Sequence, residues 1–79
     1  MKARVKVMLK EGVLDPQGEA VKHALNSLKY NKVESVRQGK LIEINLNETS
    51  ERRAKKSIQE MCEKLLANTV IESYEIEII

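Results

Sequence analysis

Phenylalanine and tryptophan are absent from this sequence, and tyrosine occurs only twice. A chain so poor in aromatics has little with which to stack nucleobases, so single-stranded RNA and DNA are poor candidate partners. Cysteine occurs once, which rules out an internal disulfide and points to a reducing, cytoplasmic setting. One cysteine and one histidine cannot supply the three or four ligands of a zinc site. No apolar stretch approaches the roughly 20 residues of a membrane span. Arg4, Lys6 and Lys10 interrupt any apolar core that a signal peptide would need. Charge of one sign is also missing: 14 basic against 12 acidic residues leave +2, too little to draw the chain to nucleic acid or an anionic membrane.

What is present is a fine interleaving of apolar and charged residues over all 79 positions, without repeats or linkers. We read residues 1–79 as one domain. A chain this short buries a small core and often gains stability by oligomerising. Ala3, Val5, Val7 and Leu9 alternate with Lys2, Arg4, Lys6 and Met8, the pattern of a half-buried strand. Asp15-Pro16 reads as an N-cap and first helical residue. Ala20, Val21, Ala24, Leu25 and Leu28 then recur at helical spacing to about Lys29. Val33 to Gln38 reads as a short second strand, Gly39 as a turn, and Lys40 to Asn47 as a third strand. A second helix follows a Thr49 or Ser50 cap, with Ala54, Ile58, Met61, Cys62, Leu65 and Leu66 as its apolar stripe. Ser73 to Ile79 alternates again.

The order β-α-β-β-α-β predicts an α+β, ferredoxin-like fold. Its antiparallel sheet has strand order 4-1-3-2, with both helices on one face. The other face then carries Lys2, Arg4 and Lys6 beside Glu43, Glu75 and Glu77, a charge-matched surface. Met8 and Leu41 fall on that face near one end of the sheet. The Gly12 loop, the Gly39 turn and the Asn68-Thr69-Val70 loop converge at the same end.

No catalytic set is legible. His23 and Ser27 lie one turn apart on the polar side of the first helix, with no orienting third group and no oxyanion donors. Cys62 falls in an apolar stripe and reads as a small buried hydrophobe. The carboxylates face cations or form i,i+4 pairs such as Glu51–Lys55 and Glu60–Lys64. Lys10, Arg37 and Lys40 gather near a helix N-terminus that favours anions, but Asp15 already caps it. An acylphosphatase-type enzyme needs an arginine in the loop after the first strand, and residues 10–15 contain none. Catalytic, cofactor-binding and metal-binding residues are therefore assigned to none, and enzymatic activity of the chain alone stays uncertain. The alternative is a small oligomeric regulatory domain that binds a small-molecule ligand between subunits.

Three segments together carry a resemblance: Lys10-Glu11-Gly12-Val13-Leu14-Asp15-Pro16-Gln17-Gly18-Glu19-Ala20-Val21, Val36-Arg37-Gln38-Gly39-Lys40, and Ala67-Asn68-Thr69-Val70-Ile71-Glu72. The first is the most specific. The chain resembles the PurS family, the small subunits of phosphoribosylformylglycinamidine synthase, over nearly its whole length. The resemblance implies a non-catalytic assembly subunit in de novo purine biosynthesis, within a ligase complex of the 6.3.5.3 type. That complex converts formylglycinamide ribonucleotide, ATP and glutamine to the amidine. A large synthase subunit handles ATP, Mg and substrate, and a glutaminase subunit makes ammonia. The small subunit forms a homodimer or homotetramer and bridges the other two so that ammonia passes between them. No cofactor is implied for the small subunit itself. Gly12, Asp15, Pro16, Gly18, Arg37, Gly39 and Lys40 match the family pattern. With Met8, Val13, Leu14 and Leu41 they form the candidate partner interface. Thr69 stands where the family often has proline, which frees φ there and adds an N–H.

Overall fold

The computed structural model describes all of residues 1–79. Strand β1 runs Lys2–Leu9, helix α1 Pro16–Ser27, strand β2 Gly39–Asn45, helix α2 Glu51–Met61 and strand β3 Glu72–Ile78. The sheet is antiparallel in the order β2-β1-β3. The ferredoxin-like α+β class therefore stands, and three of the four expected strands take their expected places.

Alternation sets the faces. Ala3, Val5 and Val7 of the central strand are fully buried in one cluster with Ile58, Cys62 and Ala67. Ile42, Ile44 and Leu46 on one flank, and Tyr74, Ile76 and Ile78 on the other, close around them half-buried. β1 is buried because it has a hydrogen-bonded neighbour on each side and a helix above. The flanking strands keep one open margin each. The opposite face is the charge-matched one: Lys2 and Arg4 both reach Glu43 at 3.2 Å, and Lys6 reaches Glu77 at 3.9 Å. These side chains are about half exposed, so their pairing orders the face more than it stabilises it. On the helices the expected Glu51–Lys55 and Glu60–Lys64 pairs do not close. Arg53 instead reaches Glu48 at 3.4 Å.

Four expectations are corrected. Val33–Gln38 forms no strand, so the order 4-1-3-2 is realised only as its first three members. Only α2 covers the sheet. α1 contributes nothing to the core, and its one buried residue is Gly18. Gly39 is not a turn: it is the first residue of β2, paired opposite Met8. A one-residue link offers too little backbone for the two-residue turn of a tight hairpin. Finally, α2 gives way to a single π-helical turn over Cys62–Leu66, closed by Ala67 N–H on the Cys62 carbonyl at 3.1 Å. The extra residue per turn rotates Leu65 out of the stripe to 82% exposure, while Ala67 becomes buried.

Residues between β1 and β2 thus form an arm. α1 leaves the sheet, the chain reverses around Lys29 at φ 77°, and residues 33–38 return beside the helix. The Cα radius of gyration is 16.0 Å and the long axis 49 Å. A compact chain of this length has a radius of about 12 Å. The difference is the arm.

Candidate functional site

The candidate residues meet at the neck, where the arm joins the sheet. Pro16 fixes the first helical φ, and Asp15 caps the helix through Gly18 N–H, which donates to Oδ1 at 2.8 Å. The second carboxylate oxygen accepts from Gln38 N–H at 2.9 Å. One side chain therefore ties the outgoing helix to the returning segment. The Gly18 and Gln38 N–H groups, with the Arg37 charge nearby, hold the Asp15 carboxyl below the usual carboxylate range. Arg37 donates from its guanidinium to the Leu9 carbonyl, fastening the returning segment to the end of β1.

Two glycines allow this close approach. A Cβ on Gly18 would collide with the Val36 carbonyl oxygen and lie 2.7 Å from Asp15 Oδ2. That contact accounts for a glycine in the first turns of a helix, where it otherwise costs up to about 1 kcal/mol against alanine. A Cβ on Gly39 would collide with Met8 Sδ and lie 2.5 Å from the Val7 carbonyl. Positive φ among the glycines belongs to Gly12 alone, at 84°, in the loop after β1.

Two hollows have Gly39 in their lining, one on each face of the sheet. One of about 310 Å³ is lined by Val7, Leu9, Asp15, Gln17, Gln38 and Lys40. The other, about 570 Å³, lies on the charged face between Lys6, Met8, Leu41, Ser73 and Glu75. Met8 and Leu41 are near one another as expected, but diagonally: Met8 faces Gly39, and Leu41 faces Lys6. Leu14 stands 74% exposed at the mouth of the arm, beside half-buried Val13. The loop before β3 joins the same end, since Lys10 N–H donates to the Ile71 carbonyl at 2.8 Å.

The alternation and spacing missed two apolar surfaces. Leu65, Val70 and Ile71 project around the π-helical turn, and no sequence signal announces that turn. Val21, Leu28 and Tyr30 stand exposed along the arm. The helical spacing of Val21 and Leu28 was legible, but as part of a stripe buried against its own sheet. His23 is exposed on α1 and Cys62 is buried, its thiol pushed up chiefly by burial. No three His, Cys, Asp or Glu residues cluster as metal ligands would. No helix is long and apolar enough to cross a membrane.

The sequence profile described as PurS, phosphoribosylformylglycinamidine (FGAM) synthase, matches residues 2–79. The PurS subunit of Bacillus subtilis phosphoribosylformylglycinamidine synthase is 57% identical over 77 residues, which cover 98% of this chain and 90% of that protein. The Methanocaldococcus jannaschii PurS subunit is 46% identical over 98% of this chain and 93% of its own length. The crystal structure of Bacillus subtilis PurS superposes with a TM-score of 0.85 at 58% identity, covering 96% of this chain and 94% of that one. A chain of the Thermotoga maritima PurLQS structure superposes with a TM-score of 0.86 at 32% identity, covering 96% and 93%.

Proposed function

Since the chain belongs to the PurS family, whose members are subunits of phosphoribosylformylglycinamidine synthase in purine biosynthesis, we propose that it is the assembly subunit of that complex. It carries no chemistry of its own in this reading. It bridges a glutaminase subunit and an ATP-dependent synthase subunit, and supports the transfer of ammonia between them. ATP, Mg and glutamine are used by the complex in the cytoplasm, and this chain holds none of them. Residues 1–79 act as one domain.

The observation that carries the reading is the neck. Distinctive residues that the sequence spreads over 34 positions, from Met8 to Leu41, come together at one end of the sheet. They bring no set of converging acids, bases and nucleophiles, but they do bring loops, two hollows and the exposed Leu14. Such a surface suits contact with a folded protein rather than turnover of a small substrate. Association with copies of itself, as a dimer or tetramer, belongs to the same reading. The structure of the Thermotoga maritima PurLQS assembly, which holds a chain of this fold, supports a place in a larger complex.

The test is recovery of partners. A tagged chain drawn from its native lysate with glutamine and Mg-ADP present should bring down a glutaminase and an amidine synthase. Leu14→Asp, placed at an exposed site, should lower that recovery while leaving the circular dichroism spectrum unchanged. If neither partner is recovered with the unmodified chain, the assembly role fails.

A further inference from the structure

The first turns of α2 read Glu51-Arg52-Arg53-Ala54-Lys55-Lys56. Four cations against one acid give this stretch a charge of +3. The whole chain carries only +2, so its other 73 residues hold 10 basic and 11 acidic groups, a charge of −1. The positive charge of the protein is therefore concentrated on about two turns of helix. Ala54, Ile58 and Cys62 mark the buried side of α2. At about 100° per residue, Arg52 and Lys56 then stand near the middle of the outward side, one turn apart, with Arg53 and Lys55 flanking them. All four are exposed.

This arrangement costs the helix stability, and little within the chain offsets the cost. Arg52 repels Lys55 and Lys56 at i,i+3 and i,i+4, and Arg53 repels Lys56 at i,i+3. Cations are favourable near a helix C-terminus, yet these lie at the N-terminal end, and the last turn of α2 has none. Of the four, Arg53 alone has an acidic partner within 4.0 Å, Glu48 at 3.4 Å. That carboxylate already accepts from the Thr49 and Ser50 N–H groups. The ridge is also remote from the neck. α2 follows the Asn45 end of β2, which pairs with Lys2, whereas the neck gathers where Gly39 pairs with Met8.

We propose that the outward side of α2 over Arg52–Lys56 docks an acidic segment of another protein, with carboxylates one helical turn apart set against Arg52 and Lys56. The borders of the ridge select this occupant. Glu48 and Glu51 lie at its start, and exposed Glu60 follows one turn beyond Lys56 on the same side. A nucleic-acid backbone or an anionic membrane carries its charge past two turns of helix and would be set against these acids. A short acidic segment ends before them. A second copy of this chain, laid antiparallel, offers only Glu60 to Lys56. Two such exposed ion pairs contribute too little to offset the cost of association. Charge placed this way governs encounter rate and orientation more than affinity, so the contact is salt-dependent.

The test uses the isolated chain, labelled with nitrogen-15, and an alanine-based helical peptide bearing glutamates at i, i+4 and i+7. At low salt the peptide should shift the amide signals of residues 51–56 and leave those of the neck and the arm in place. Raising the salt from about 20 to about 200 mM should weaken binding at least about tenfold. Arg52→Glu with Lys56→Glu should also weaken it at least about tenfold. Lys22→Glu with Lys32→Glu, the same charge change on the arm, should leave it within about twofold. Equal losses in the two variants would mean that the peptide senses net charge alone, and overturn the proposal. Duplex DNA or phosphatidylserine vesicles that bind residues 51–56 more tightly than the peptide overturn it too, as does self-association that Arg52→Glu with Lys56→Glu abolishes. The same double variant removes the repulsion, so its thermal midpoint should rise by about 2 °C or more. A lower midpoint would assign Arg52 and Lys56 to the stability of the fold and overturn the docking surface.

Discussion

The Asp15 carboxylate and the Gln38 backbone N–H lie 2.9 Å apart across 23 positions of sequence, and that single bond closes the base of the arm. The same carboxylate caps α1 through Gly18. Helix initiation and arm closure therefore depend on one charge.

Asp15→Asn should loosen both contacts. The expected outcome is a lower thermal midpoint and faster hydrogen exchange at Gly18 and Gln38, with β1 and β3 unchanged. The effect depends on pH in a known direction. The folded chain holds Asp15 below its ordinary value, so the unfolded chain binds the proton first as pH falls. The contribution is whole above the unfolded aspartate value, near 4, and is lost as pH drops through the lower folded value. In the Asp15→Asn variant this part of the acid sensitivity should disappear, which thermal melts across roughly pH 2–6 would check.

Gly18→Ala separates propensity from packing. Alanine is the better helix former by about 1 kcal/mol. Its Cβ, however, meets the Val36 carbonyl, which the neck holds in place. We expect net destabilisation of at least about 1 kcal/mol by urea unfolding. A gain in stability would show that residues 33–38 yield freely.

Ile58 and Cys62 test the core. Ile58 is fully buried against β1, and truncation to alanine should cost about 2–5 kcal/mol, a large share of the stability of so small a chain. Native Cys62 should resist a thiol reagent such as 5,5′-dithiobis(2-nitrobenzoate), because its site is closed and burial keeps the thiol protonated. Labelling should follow global unfolding in urea. Fast labelling of the native protein would mean that the π-helical turn opens locally.

Tyr74 fastens that turn to β3: its hydroxyl donates to Glu63 Oε1 at 2.9 Å. The Glu63 hydrogen bond, ahead of partial burial, raises the phenol above its ordinary value. The folded chain keeps the proton longer than the unfolded chain, so the contribution is present below the unfolded tyrosine value and lost as pH rises through the folded one. Alkaline melts of Tyr74→Phe should show a smaller loss of stability above about pH 10 than the unmodified chain.

Some of this molecule is decided locally and was legible in its residues. Alternation in β1 places Lys2, Arg4 and Lys6 opposite Ala3, Val5 and Val7, and strand period alone settles that. The Asp15-Pro16 start of α1 and the Ser50 cap of α2 follow from short-range hydrogen bonding, Ser50 Oγ accepting from Arg53 N–H at 3.3 Å. Other features depend on which surfaces meet, and no local pattern carries that information. The apolar stripe of α1 announced a helix packed on its own sheet, yet the helix leaves the sheet and the stripe stays exposed. Gly39 read as a turn because glycine suits turns, yet tertiary pairing with Met8 holds it in β2. Leu65 kept its helical spacing in the sequence, but an i→i−5 hydrogen bond rotated it into solvent. Local propensity thus determined the elements and their faces. The placement of the arm was decided by tertiary structure, since an apolar side of a helix carries no local signal of which surface it will meet.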